Sequence, residues 1–96
     1  MIIQLKKFGV TLISRQSGKE ALSAFLPSLS GVGAAEKVEI NFDGVNTFSP
    51  SWGDEFLTPL ARKYGERFIL RQSDNPSVIA TLKLLEEVNG YKFNIK

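Results

Sequence analysis

Residues 38–56 read Val-Glu-Ile-Asn-Phe-Asp-Gly-Val-Asn-Thr-Phe-Ser-Pro-Ser-Trp-Gly-Asp-Glu-Phe. Val38, Ile40 and Phe42 alternate with Glu39 and Asn41, the period of a strand with one better-buried face. Asp43-Gly44 is a turn pair that ends it. Val45 and Phe48 are placed to pack beneath that turn. Ser49-Pro50 then opens a helix. Ser49 caps it, and Pro50 takes the first helical position, where its missing N–H costs nothing. The other candidate start is Ser51, with Asp54 three residues on. With Ser49 as the cap, Ser51 lies in the first turn. Asp54 and Glu55 then sit near the positive end of the helix, which favours acids. Trp52, Phe56, Leu57, Leu60, Ala61 and Tyr64 share one helical face.

Upstream, Ile2 to Leu5 and Val10 to Ile13 are short, apolar and partly β-branched. Lys6, Lys7, Phe8 and Gly9 lie between them, and the pattern predicts a hairpin of two strands. One bent strand is the alternative. Ser17-Gly18-Lys19-Glu20 has the form of a capping box. Leu22, Phe25, Leu26 and Leu29 follow at helical spacing. Pro27 is expected to kink that helix or end it near Leu26. Gly31-Val32-Gly33 follows a helix and precedes a strand, the reverse of a phosphate-binding fingerprint, so it reads as a helix exit.

Downstream, Pro59 is expected to bend the second helix. Gly65 stops it after Arg62 and Lys63. Arg67 to Leu70 is a short apolar strand. Asp74 or Asn75 caps a third helix with Pro76 in its first turn. Val78, Ile79, Leu82, Leu85 and Val88 form its buried stripe, with Leu84 to one side. Asn89-Gly90 closes it. Tyr91, Phe93 and Ile95 alternate with Lys92 and Asn94, a short last strand. Helices and strands that alternate in this way imply parallel neighbours joined by right-handed crossovers. The fold expected is a single α/β domain over residues 1–96. It has a mixed sheet of four or five strands, with three helices packed against it.

The chain has 96 residues, 43% of them apolar and 23% charged, the composition of an ordinary globular domain. It contains no cysteine and no histidine. That removes thiolate nucleophiles, disulfides, the usual zinc ligands and the commonest general base. No carboxylate cluster suggests a metal, and no cofactor is expected. The formal charge is only +2. Lys6, Lys7, Arg15, Lys19, Arg62, Lys63, Arg67 and Arg71 are scattered, so nucleic acid is not an expected partner. No apolar run is long enough to span a membrane. The opening Met-Ile-Ile-Gln-Leu-Lys-Lys carries its charge after its apolar residues, the reverse of a signal peptide, so the expected location is the cytoplasm.

The order of elements resembles the STAS domain, named for sulfate transporters and anti-sigma factor antagonists. It is more similar to a bacterial STAS-like family of unknown function. Two places carry the resemblance. Ser14-Arg15 follows the second strand and precedes the first helix. Residues 38–56 are similar to that family's strand ending in Asp-Phe-x-Gly-Val, followed by Ser-Phe-Ala-Asp-Glu-Leu; here Ser51-Trp52-Gly53-Asp54-Glu55-Phe56 stands at the second pattern. In anti-sigma factor antagonists the comparable turn reads Asp-Ser-Ser-Gly, and a partner kinase phosphorylates its serine. This chain has Ser49-Pro50-Ser51-Trp52 instead, with no aspartate before the serine. Ser51 is the better positional match and Ser49 the second.

The resemblance implies a non-enzymatic regulatory module that docks a protein partner, a kinase-like ATPase or another signalling protein. The contact surface it implies is Asn46, Thr47, Phe48, Ser49, Ser51, Trp52, Asp54 and Glu55. Ser51 or Ser49 would be the phosphoacceptor, at a helix N-terminus suited to a phosphate. Both serines have a plain structural reading as caps. Arg15 is either a surface residue or an anion contact, able to grip a carboxylate or phosphate bidentately. The alternative function is a small-molecule-binding or catalytic α/β domain. It would use Asp43, Asp54 and Glu55 near a strand's C-terminal end, where open α/β sheets bind ligands. Self-association through an edge strand is also open to so small a sheet.

Overall fold

The computed structural model describes residues 1–96. Its strands are β1 (Ile2–Gln4), β2 (Thr11–Leu12), β3 (Val38–Asn41), β4 (Thr47–Phe48), β5 (Phe68–Leu70) and β6 (Asn94–Ile95). Its helices are α1 (Arg15–Leu29), α2 (Pro50–Tyr64) and α3 (Pro76–Asn89). Tight 3₁₀ turns occupy Leu5–Phe8 and Gly65–Arg67.

The main sheet has the order β1-β3-β5-β6, and every pair is parallel. Ile3 faces Ile40, Ile40 faces Leu70, and Leu70 faces Ile95 across it. Each step to the next strand passes through one helix. Right-handed crossovers in one direction put all three helices on the same face. Burial follows: Ile3, Val38 and Ile40 are buried, Glu39 is half-buried and Ile2 is exposed. A second, two-stranded parallel ribbon joins β2 to β4, with Thr11 facing Thr47 and Leu12 facing Phe48.

The α/β class, the small sheet and the three helices match the pattern read above. The N-terminal hairpin does not. The 3₁₀ turn drives Leu5 wholly into the core and carries the chain off the sheet. Strands β1 and β2 therefore enter different sheets, each beside a distant parallel partner, and the fold contains no antiparallel pair.

Helix α1 also starts earlier than its capping box predicts. Ser14 is the cap, and its Oγ accepts from the Ser17 N–H at 3.0 Å. Ser17 lies inside the first turn. Neither proline ends its helix: α1 runs past Pro27 to Leu29, and α2 runs past Pro59 to Tyr64. Both prolines are exposed.

The core is one cluster drawn from every layer. An aromatic row runs through it: Phe42 against Phe48 at 5.5 Å, Phe48 against Trp52 at 5.9 Å, and Trp52 stacked on Phe56 at 4.9 Å. Phe8 closes the row against Phe56 and Phe25. Helix α1 crosses α2 where Gly18 meets Trp52; a Cβ on Gly18 would lie 2.7 Å from the Trp52 carbonyl oxygen.

On α3, Val78, Leu82 and Leu85 are buried as their spacing predicts. Ile79 and Val88 are not, at 41% and 72% exposure. Thr81 takes an inward place instead, donating through its hydroxyl to the Phe48 carbonyl at 2.6 Å. The buried face is thus rotated toward β4. Gly65 and Gly90 end α2 and α3 at positive φ, 57° and 70°, as the stop signals predict.

Candidate functional site

The turn after β3 is built by its own side chains. Asn41 accepts the Asp43 N–H through Oδ1 at 3.0 Å, a local turn that asparagine favours. The Val45 N–H then donates to the Phe42 carbonyl at 3.0 Å. From there the chain is tied to two neighbours. On one side the Asn46 and Thr47 N–H groups donate to the Val10 carbonyl at 2.7 and 3.0 Å. On the other, Asn75 Nδ2 donates to the carbonyls of Val45 and Asn46 at 2.8 and 3.1 Å. Ser77 Oγ accepts from the Phe48 N–H and donates to the Phe48 carbonyl. The starts of all three helices therefore gather at the C-terminal ends of the strands.

Within this cluster the two serines differ. Ser49 caps α2, accepting the Trp52 N–H at 3.2 Å, and donates to the Ile13 carbonyl at 2.6 Å. Both hydrogen-bonding roles of its hydroxyl are filled. Ser51, in the first turn and half-buried, makes no side-chain hydrogen bond within the chain.

Arg15, from the first turn of α1, reaches across to α2. Its Nη1 donates to Asp54 Oδ2 at 3.1 Å and to Glu55 Oε1 at 2.9 Å. The anions Arg15 binds are thus the chain's own carboxylates, and only one nitrogen of the guanidinium is used. Burial pushes the Asp54 carboxyl up, but hydrogen bonds from Arg15 and Thr58, with the charge of Arg15, outweigh it and hold Asp54 below the usual carboxylate range. Hydrogen bonds to Glu55 and then Asp54 raise the already high value of Arg15.

Of the expected contact residues, Asn46 and Thr47 are exposed, and Ser49, Ser51, Asp54 and Glu55 are half-buried. Phe48 and Trp52 are a correction. Each is only 1% exposed, locked in the aromatic row, and neither is available to a partner. The helix period that puts Trp52 with Phe56 and Leu60 already marks it as core. Sequence reading missed the apolar part of this surface. Val10 and Ile13 are each 53% exposed, beside Asn46 and Ser49. It also missed Ser14 as the cap of α1, and Ser77 and Thr81, whose partner Phe48 is distant in the chain. Asp43 is exposed, and none of Asp43, Asp54 and Glu55 lines any of the cavities.

No curated protein and no solved structure matches the chain. No helix is long and apolar enough to cross a membrane. A family model described as a STAS-like domain of unknown function (DUF4325) matches residues 23–77. That segment is more than half of the chain and holds β3, the turn, β4, α2 and β5. The chain therefore belongs to the STAS-like domain family of unknown function.

Proposed function

We propose that this domain is a non-enzymatic, cytoplasmic regulatory module that docks a signalling or kinase-like protein. The docking surface is Asn46, Thr47, Ser51, Asp54 and Glu55, with Val10 and Ile13 as its apolar part. Apolar side chains inside a polar rim are the usual anatomy of a protein interface. Ser51 is the switch. The observation that carries this reading is the free Ser51 hydroxyl beside a Ser49 hydroxyl that is fully engaged.

A phosphate on Ser51 adds about −2 charge without removing a cap. It sits in the first turn of α2, where the backbone N–H groups and the helix dipole favour an anion. Asp54 and Glu55 oppose it, and Arg15 is shared among three anions instead of two. The surface changes its charge pattern while the core beneath it stays as it is.

The test is a pull-down with the wild-type domain, Ser51→Ala and Ser51→Asp. A control, Lys37→Gln, lies before β3 at the other end of the sheet. Mass spectrometry of peptides spanning residues 45–60 reads the phosphorylation. The expected result is a partner held by wild type and control and changed by Ser51→Asp, with phosphate on Ser51 alone. A partner indifferent to Ser51→Asp removes the switch. Recovery of no partner removes the docking role.

A further inference from the structure

At the opposite end of the sheet, α2, β5 and β6 flank a half-open cavity of about 490 Å³. That is the size range of small-molecule sites. Phe68 and Phe93, both buried, line it with Tyr91 and Ala61. Tyr91 meets Phe93 edge to face at 5.1 Å. A further aromatic group can meet such rings edge to face or offset-stacked, the arrangements aromatic pairs prefer.

The polar groups around these rings are unequal in sign. Arg62, Lys92 and Glu66 are exposed at the rim. Arg62 makes no ion pair and no side-chain hydrogen bond, and Lys92 stands 3.8 Å from Glu86 at the edge of salt-bridge range. The lining thus carries two cations and one acid, Glu66, and Arg62 is the cation without a partner. Tyr91 also carries the chain's single buried side-chain polar atom without a hydrogen bond, its hydroxyl. Buried hydroxyls nearly always have a partner, so this one asks for an acceptor. The ring that carries it lines this cavity.

We propose that this cavity binds a small aromatic carboxylate. The ring lies against Phe68, Tyr91 and Phe93, and the carboxylate takes Arg62 and Lys92. A neutral ring leaves the excess of cations unmet. An aromatic cation faces Arg62 and Lys92 directly. The inference is independent of docking at the other end of the sheet.

The test is a two-dimensional amide NMR titration of the isotope-labelled 96-residue chain. Benzoate is the probe, with benzyl alcohol and benzylamine as neutral and cationic comparators. Benzoate should give saturable shifts confined to residues 61–68 and 91–94, benzyl alcohol weaker ones, and benzylamine none. Arg62→Gln, an exposed change whose fold is checked in the same spectrum, should weaken benzoate about tenfold and leave benzyl alcohol unaltered. The absence of saturable benzoate shifts overturns the proposal. So does an equal response to the three probes, or an Arg62→Gln variant that binds benzoate as well as wild type.

Discussion

The hydroxyl of Ser49 fills two places at once, the first turn of α2 and the Ile13 carbonyl, while that of Ser51 fills none. Their substitutions should therefore separate sharply. Ser49→Ala removes a cap and strands a carbonyl, an expected loss of about 1–2 kcal/mol. Ser51→Ala should fall within about 0.5 kcal/mol of wild type. Urea titration of both variants checks this, and equal losses would return Ser51 to a structural role. The distinction was half legible in the sequence. Ser49-Pro50 announces its helix start, because proline fits only one helical position cheaply. Ser14 was hidden behind a better local pattern, Ser17-Gly18-Lys19-Glu20. That pattern lost to packing: Gly18 has to sit inside α1, against Trp52, and a cap at Ser17 would leave it at the very start of the helix.

At the scale of elements, the contact between α1 and α2 rests on that glycine and on Arg15. Gly18→Ala gains helix propensity but forces its methyl into the Trp52 backbone, which cannot move aside as a flexible side chain would. Overpacking of about 1–3 kcal/mol outweighs a propensity gain of about 1 kcal/mol. Gly31→Ala, whose new Cβ would meet nothing within 4 Å, is the control and should be close to neutral. If both variants keep the wild-type urea midpoint, the close approach carries no energy. Above this contact, Arg15 and Asp54 join the same two helices. Asp54 is held below its usual value, so its contribution is present above the ordinary carboxylate range and is lost as pH falls through the lowered value. Asp54→Asn should therefore have a lower urea midpoint than wild type at pH 7, and the gap should close in acid. A gap that persists unchanged below about pH 3 would mean that charge is not what joins the helices there. The pairing of strands is where the sequence was least legible. Lys6 to Gly9 is turn-like whether the chain doubles back or steps into the core. The choice is made by β3 and β4, more than thirty residues away, which offer β1 and β2 parallel partners.

For the whole molecule, the alternation of strand and helix patterns sufficed to find the α/β class and the three helices, because apolar periodicity reports burial directly. It reports less well which faces end up wet. Ile79 and Val88 fit the stripe of α3 yet lie outside, since Thr81 rotates the helix by bonding to β4. What holds these layers together is one core, with Leu12 from the small ribbon, Ile40 and Leu70 from the main sheet, and Phe25, Phe56 and Leu82 from the three helices. The radius of gyration, 12.2 Å, is close to the about 13 Å of a compact domain of 100 residues. No element keeps a core of its own, so none should outlast the others. Trp52, the single tryptophan, sits in the aromatic row at the centre of this core and reports its packing. Its fluorescence and the far-UV circular dichroism of the helices should therefore lose their native signals at the same urea concentration. The common slope should be about 1–2 kcal/mol per molar urea, as for other small two-state domains. If the helical signal falls first while Trp52 stays buried, α3 with β6 is a separable unit. The single core would then have to be redrawn around α1, α2 and the strands they cover.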